Sequence, residues 1–181
     1  MSRYVAAGLS FLLAVLWFDL MFDVQTRGHG GEILPPEVLD SIVGYYRRVT
    51  TEAYPMNRLV STVMLLTLLA IALQIREGRS RWWVGWGSLA MLCVGVFLAL
   101  TRTVPNAVRL GSGVDDLATQ SALARSIYGD HVWAFARTGF LIVLQLSAES
   151  RFLARPGGDR DRMVRGDDDS TPDRSGSGAA R

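Results

Sequence analysis

The chain has 181 residues, 49% of them hydrophobic, with a mean hydropathy of +0.20, a level ordinary for a small membrane protein and high for a soluble domain of this size. All 19 basic residues are arginine, a bias that fits an arginine-favouring, GC-rich bacterial genome. The net charge of +2 does not make a nucleic-acid binder: the arginines are scattered or gathered at the ends of apolar runs, with no interleaved aromatics. The single cysteine, Cys93, lies in an apolar run, reads as a small packing residue and says nothing about redox compartment.

Four segments approach the roughly 20 apolar residues that cross a hydrocarbon core about 30 Å thick: 5–24, 58–75, 82–101 and 129–148. They are continuous rather than alternating, so the backbone must satisfy itself within each segment as helix. The expected fold is all-α: a polytopic four-helix membrane bundle over 1–155, followed by a disordered cytoplasmic tail over 156–181 with nothing apolar to bury. No small-residue cleavage site follows the first run, which therefore reads as a retained helix rather than a leader. Its Ala6, Ser10 and Ala14 recur every four residues, a pattern that lets another helix come close.

Arg3, the Arg76, Arg79 and Arg81 cluster of the 2–3 turn, and Arg151 with Arg155 place both termini on the cytoplasmic side of a bacterial inner membrane. Trp82, Trp83 and Trp86 read as an interface belt on that side. In the first outer loop, "LPPEVLDSIVGYYRRVTTEAYP" carries Leu39, Ile42, Val43, Tyr46 and Val49 at helical spacing after Pro36, with Pro55 as its end. This is an extra amphipathic helix, lying on the membrane surface or capping the bundle. The second outer loop opens with Pro105, passes Gly111 and Gly113, and turns helix-like from Leu117 to Ile127.

Arg137 falls inside the fourth run, about 12 Å below its outer boundary, where an isolated guanidinium costs at least ~2.5–3.5 kcal/mol. Asp19, about 7 Å inside the outer end of the first run, is at a similar depth and is the expected counter-ion, with Arg48, Arg102 and Arg109 as its alternative partners. Asp23 shares the Asp19 face at i+4, and Asp130, Trp133 and Arg137 share a face at i, i+3, i+7. An Asp–Arg pair can simply pin two helices, but Asp19, Asp23, Arg102, Arg109, Asp130, His131 and Arg137 all map to the outer half, more charge than glue requires.

Asp19, Asp23, His29 and His131 are ligand types for iron, manganese or zinc, yet no HExxH or Glu-x-x-His spacing accompanies them, so neither a metal nor a haem is expected. The inner halves of the runs offer no titratable chain, which disfavours a proton channel. What remains is a cofactor-free acid–base site. A carboxylate or His131 would accept a proton from an apolar substrate while Arg137 stabilises the developing anion, with aromatics such as Trp133 as the wall.

"RTVPNAVRL" followed by "HVWAFARTGFLIVLQL" resembles the anthrone-oxygenase-like small four-helix membrane proteins, which carry a Pro-Asn-type motif after their third helix and a Trp-x-x-x-Arg motif in the fourth. The resemblance covers about 35 residues and implies functional roles for Asn106, Trp133 and Arg137. It also implies oxidation of polycyclic phenolic compounds by oxygen without an evident cofactor. The reading is thus an outward-facing pocket for an apolar or aromatic small molecule, with Arg137, Asp19 and His131 as catalytic candidates and Asp23, Asn106, Arg109, Asp130 and Trp133 as ligand-binding ones. Its rival is a non-catalytic subunit whose charges lock helices and whose outer-loop helix binds a membrane protein partner.

Overall fold

The computed structural model describes residues 2–78 and 81–153. Met1–Glu149 form one compact unit, and Ser150–Arg181 a second of which only the end of the last helix is described. Arg79, Arg155 and the 156–181 tail lie outside the described residues, which are all helix, turn and connecting coil. Six helices follow in order: α1 Ser2–Asp23, α2 Pro36–Arg47, α3 Tyr54–Arg76, α4 Trp82–Leu98, α5 Val104–Ser112 and α6 Leu117–Leu153. Among the described residues three helices are long and apolar enough to cross a membrane, Arg3–Gly28, Tyr54–Arg76 and Trp82–Ser112.

Two of the joints have a common cause. Arg48–Glu52 and Ala99–Thr103 are π-helical turns, closed by i→i+5 bonds from Ala53 N to Arg48 O and from Val104 N to Ala99 O. Each lies just ahead of a proline, Pro55 or Pro105, whose missing N–H removes the α-helical bond that would have continued the helix. Each also carries threonines bonded back one turn: Thr50 Oγ1 to Tyr46 O and Thr101 Oγ1 to Phe97 O, both 2.7 Å. Pro55 follows the end of the surface helix at the non-helical Ala53 and sits in the first turn of α3, while Pro105 sits in the first turn of α5 instead of opening a loop.

The helix-like stretch from Leu117 is likewise no part of a loop. It is the start of α6, capped by Asp116, whose Oδ1 accepts the Thr119 N–H at 2.7 Å. Backbone bonds to the cap hold the Asp116 carboxyl below the usual carboxylate range. At 1.5 Å per residue, α6 is about 55 Å long, nearly twice the thickness of a hydrocarbon core.

Two cores result. At one end, the cap, the apolar face of α2 (Leu39, Ile42, Val43, Tyr46) closes with Leu34 over Ala107 and Leu110 of α5 and Ala124 and Ile127 of α6. Gly111 permits the crossing, because a Cβ there would lie 2.9 Å from the Arg47 backbone nitrogen. Gly113, at φ +65°, ends α5 in the left-handed conformation. Arg125 fastens the glycine-rich segment onto α6 through the carbonyls of His29, Gly31 and Glu32, and Ser121 Oγ accepts the Leu34 N–H at 2.9 Å.

At the far end Val5, Leu9, Ile71, Leu92 and Leu141 pack together. There Gln145 links three helices, accepting from Gln74 Nε2 (3.3 Å) and donating to Ser88 Oγ (2.9 Å). The close approach of α1 to α3 comes at Gly8, where a Cβ would overlap Thr67 Oγ1. The Ala6, Ser10 and Ala14 pattern is not that contact: Ser10 and Ala14 are exposed, because Val5, Leu9 and Leu12 turn the opposite side of α1 inward. Cys93 is exposed on α4 rather than packed, and Trp82, Trp83 and Trp86 are exposed at the start of the same helix.

Candidate functional site

Between the two cores the helices enclose a cavity of about 730 Å³. Its walls are predominantly aliphatic, from Leu12, Leu16, Met64 and Leu92 among others, and its polar atoms come from Asp19, Arg102, Thr103, Asp130, His131, Arg137 and Thr138. Of the residues singled out by sequence, Asp19, Asp130, His131, Trp133 and Arg137 line it. Asp23 stands directly behind His131. Asn106 and Arg109 are on α5 and do not line it; Arg109 faces the cap surface in a two-pronged pair with Asp115 (Nε–Oδ2 2.8 Å, Nη2–Oδ1 2.9 Å).

Asp19 and Arg137 line one cavity without pairing, which corrects the expected ion pair. The Asp19 Oδ1 accepts the Tyr45 hydroxyl at 2.5 Å instead. The reason is the fold of α2, which lies back against the end of α1 and presents two consecutive tyrosines to the two aspartates. Tyr45 is held in place by stacking on Phe22, ring centroids 4.0 Å apart and 11° from parallel. Tyr46 donates to Asp23 Oδ1 at 2.7 Å. Burial first, and the neighbouring aspartates second, push both phenols well above their ordinary pKa, so they remain donors.

Asp23 is fully buried and also contacts His131, with Oδ2 2.6 Å from Nδ1. With Asp23 as the acceptor of this contact, as it is of the Tyr46 hydroxyl, Nδ1–H is the donor and Nε2 is the ring nitrogen left for the cavity that His131 lines. Tyr46–Asp23–His131 is thus a fixed orienting chain behind a potential base, with Tyr46 Oη 3.5 Å from the ring nitrogen it supports.

Antiparallel α4 and α6 meet along a seam with polar rungs. Ser88 pairs with Gln145, Gly95 faces Arg137, and Arg102 pairs with Asp130 (Nε–Oδ2 3.2 Å). Ser88, Gly95 and Arg102 recur every seven residues along α4 and the π-helical turn that follows it, the spacing of a helix–helix seam. The π-helical turn contains the last rung, Arg102, and also holds Thr103, whose Oγ1 is 3.3 Å from Asp130 Oδ2.

Gly95 is the least legible member of the site. A Cβ there would overlap the Arg137 guanidinium, so the missing side chain is what seats it. Arg137 makes no hydrogen bond or ion pair among the described residues, and its Nε is buried without a partner. Meanwhile every carboxylate around the cavity is engaged: Asp19 by Tyr45, Asp23 by Tyr46 and His131, Asp130 by Arg102.

Tyr45, Tyr46, Gly95 and Thr103 were not found from the sequence. The signal for the tyrosines was the adjacent pair at the end of an amphipathic stripe, and for Gly95 a seven-residue offset from Arg102. His29 sits away from the site, its Nδ1 3.2 Å from Gln25 O, and among the described residues no three His, Cys, Asp or Glu side chains group to hold a metal ion. No protein-family model, curated protein or solved structure matches the chain.

Proposed function

We propose that the chain is a small inner-membrane protein of four spans, the fourth being 129–148 within α6, with both termini cytoplasmic and the cap on the outer side. Its cavity takes an apolar or aromatic small molecule. The observation that carries this reading is the meeting, in one largely aliphatic chamber, of an Asp-oriented histidine and an arginine without a protein counter-ion.

The chemistry such a site supports is cofactor-free and oxygenase-like. His131 Nε2 removes a proton from an acidic C–H or O–H of the substrate, Asp23 stabilises the imidazolium, and Arg137 stabilises the substrate anion. Asp19, kept in the cavity by Tyr45, is a second proton acceptor. Dioxygen is then the electron acceptor; where a methylene becomes a carbonyl, one oxygen atom enters the product and the other leaves as water. The resemblance of "PNAVRL" and "HVWAFAR" to anthrone-oxygenase-like proteins supports the same reaction class.

The test is oxygen uptake by the purified full chain in lipid nanodiscs with a panel of polycyclic phenols. Uptake is expected with wild type and should fall by about 10²-fold or more in His131→Asn, the range general-base removal occupies. Uptake unchanged in His131→Asn, or absent for every phenol with wild type, would overturn the reading.

A further inference from the structure

We infer that the cavity is loaded sideways from the hydrocarbon layer, and that its ligand is a compact apolar molecule bearing an oxyanion head, which Arg137 receives. The inference deepens the functional reading above, since it names the ligand class and route of that same site.

The route is visible in the side chains that belong to two surfaces at once. Val94, Leu98 and Trp133 line the cavity, yet are 55%, 46% and 75% exposed on the outside of the helices. Leu98 and Trp133 fall between the Gly95–Arg137 and Arg102–Asp130 rungs of the α4–α6 seam, and Val94 lies beside Gly95. The window lies between two rungs of that seam, the Arg102–Asp130 ion pair on the cap side and Arg137 against Gly95 on the other. Seven residues separate Gly95 of α4 from Arg102 of the π-helical turn, which makes the opening about 10 Å tall. Its border is apolar and faces the surface that meets lipid tails, so a hydrophobic ligand enters without crossing water.

The head group follows from charge. A guanidinium at membrane depth needs an anion, and the three nearby carboxylates are already committed to other donors. The volume fits a single chain or a small ring system and is within the usual range of small-molecule pockets, roughly 300–1,000 Å³. A two-chain phospholipid is too large to be enclosed, so the oxyanion is a carboxylate or a similar small acid.

Tryptophan fluorescence of the full chain in nanodiscs tests this with dibrominated stearate, its methyl ester and dibrominated phosphatidylglycerol as quenchers. The free acid is expected to quench saturably, and the saturable part should vanish in Trp133→Phe. Its affinity should fall by more than about tenfold in Arg137→Leu and recover in Arg137→Lys. The ester and the phospholipid should quench only in proportion to their membrane concentration. Saturation by the ester equal to that by the acid requires no variant to interpret and overturns the inference, as does unaltered acid binding in Arg137→Leu.

The two proposals fail separately. Saturable, Arg137-dependent quenching without oxygen uptake sinks the oxygenase reading and leaves this inference standing. Uptake with neutral phenols, together with no saturable quenching by the acid, does the reverse.

Discussion

The cap and the far end share only α6 and are held together by different physics. In the cap, α2 closes its apolar stripe over α5 and α6, and the gain comes from taking Leu39, Ile42, Leu110 and Ile127 out of water. At the far end, in the proposed bilayer, lipid tails solvate Leu9 and Leu141 about as well as protein does, so association relies on close approach and interhelical hydrogen bonds. Gly8 against Thr67 and the Gln74–Gln145–Ser88 links are those devices. The cavity lies where the two regimes meet, and it draws its charged groups from the boundary.

The largest expected effect breaks this comparison directly. Ile42→Ala in the cap should lower stability by about 2–5 kcal/mol, whereas Leu141→Ala, equally buried, should cost under about 2 kcal/mol because lipid is its alternative environment. Thermal unfolding in nanodiscs measures both, and equal losses would mean that the far end is not lipid-surrounded. Next, Gly111→Ala drives a methyl group into the Tyr46–Arg47 backbone and should cost about 1–3 kcal/mol, seen as faster proteolysis of the cap with the far end unaffected.

The third effect is one of pH. Because the Tyr45 and Tyr46 pKa values are raised in the folded chain, the unfolded chain releases those protons first. Stability is then fully present below the ordinary phenol pKa near 10 and declines as pH rises beyond it. An ultraviolet titration should show the same absorbance rise below pH 11 for wild type and Tyr45→Phe; a smaller rise in the variant would show Tyr45 ionising normally.

The smallest effect is at the α6 cap, where the lowered Asp116 pKa contributes stability above the ordinary carboxylate range that is lost as pH falls through the folded value. Asp116→Asn keeps an acceptor for Thr119, so its unfolding should be nearly unchanged at pH 7 and should lack that acid-side loss. An identical acid profile in both proteins would exclude the contribution.

What could be read from the sequence was periodicity. Apolar runs of spanning length identified three of the long helices, and i, i+3, i+7 spacing placed Asp130, Trp133 and Arg137 on one cavity wall. Partner choice could not be read that way. Depth along two antiparallel helices put Asp19 level with Arg137, but depth says nothing of a third helix, and it is α2 folding back that gives Asp19 to Tyr45. The prolines divide on this point. The helix ahead of Pro55 does end, at the non-helical Ala53, whereas Pro105, read as the opening of a loop, follows a π-helical turn through which the chain remains helical.

The unbroken course of α6 links distant parts of the molecule. One rod carries Ala124 and Ile127 beneath the cap, His131 and Arg137 in the chamber wall, and Gln145 among the deep polar links. It is α-helical throughout, so the cap residues and the guanidinium seated against Gly95 are borne on one continuous backbone with no loop between them to take up a change of tilt.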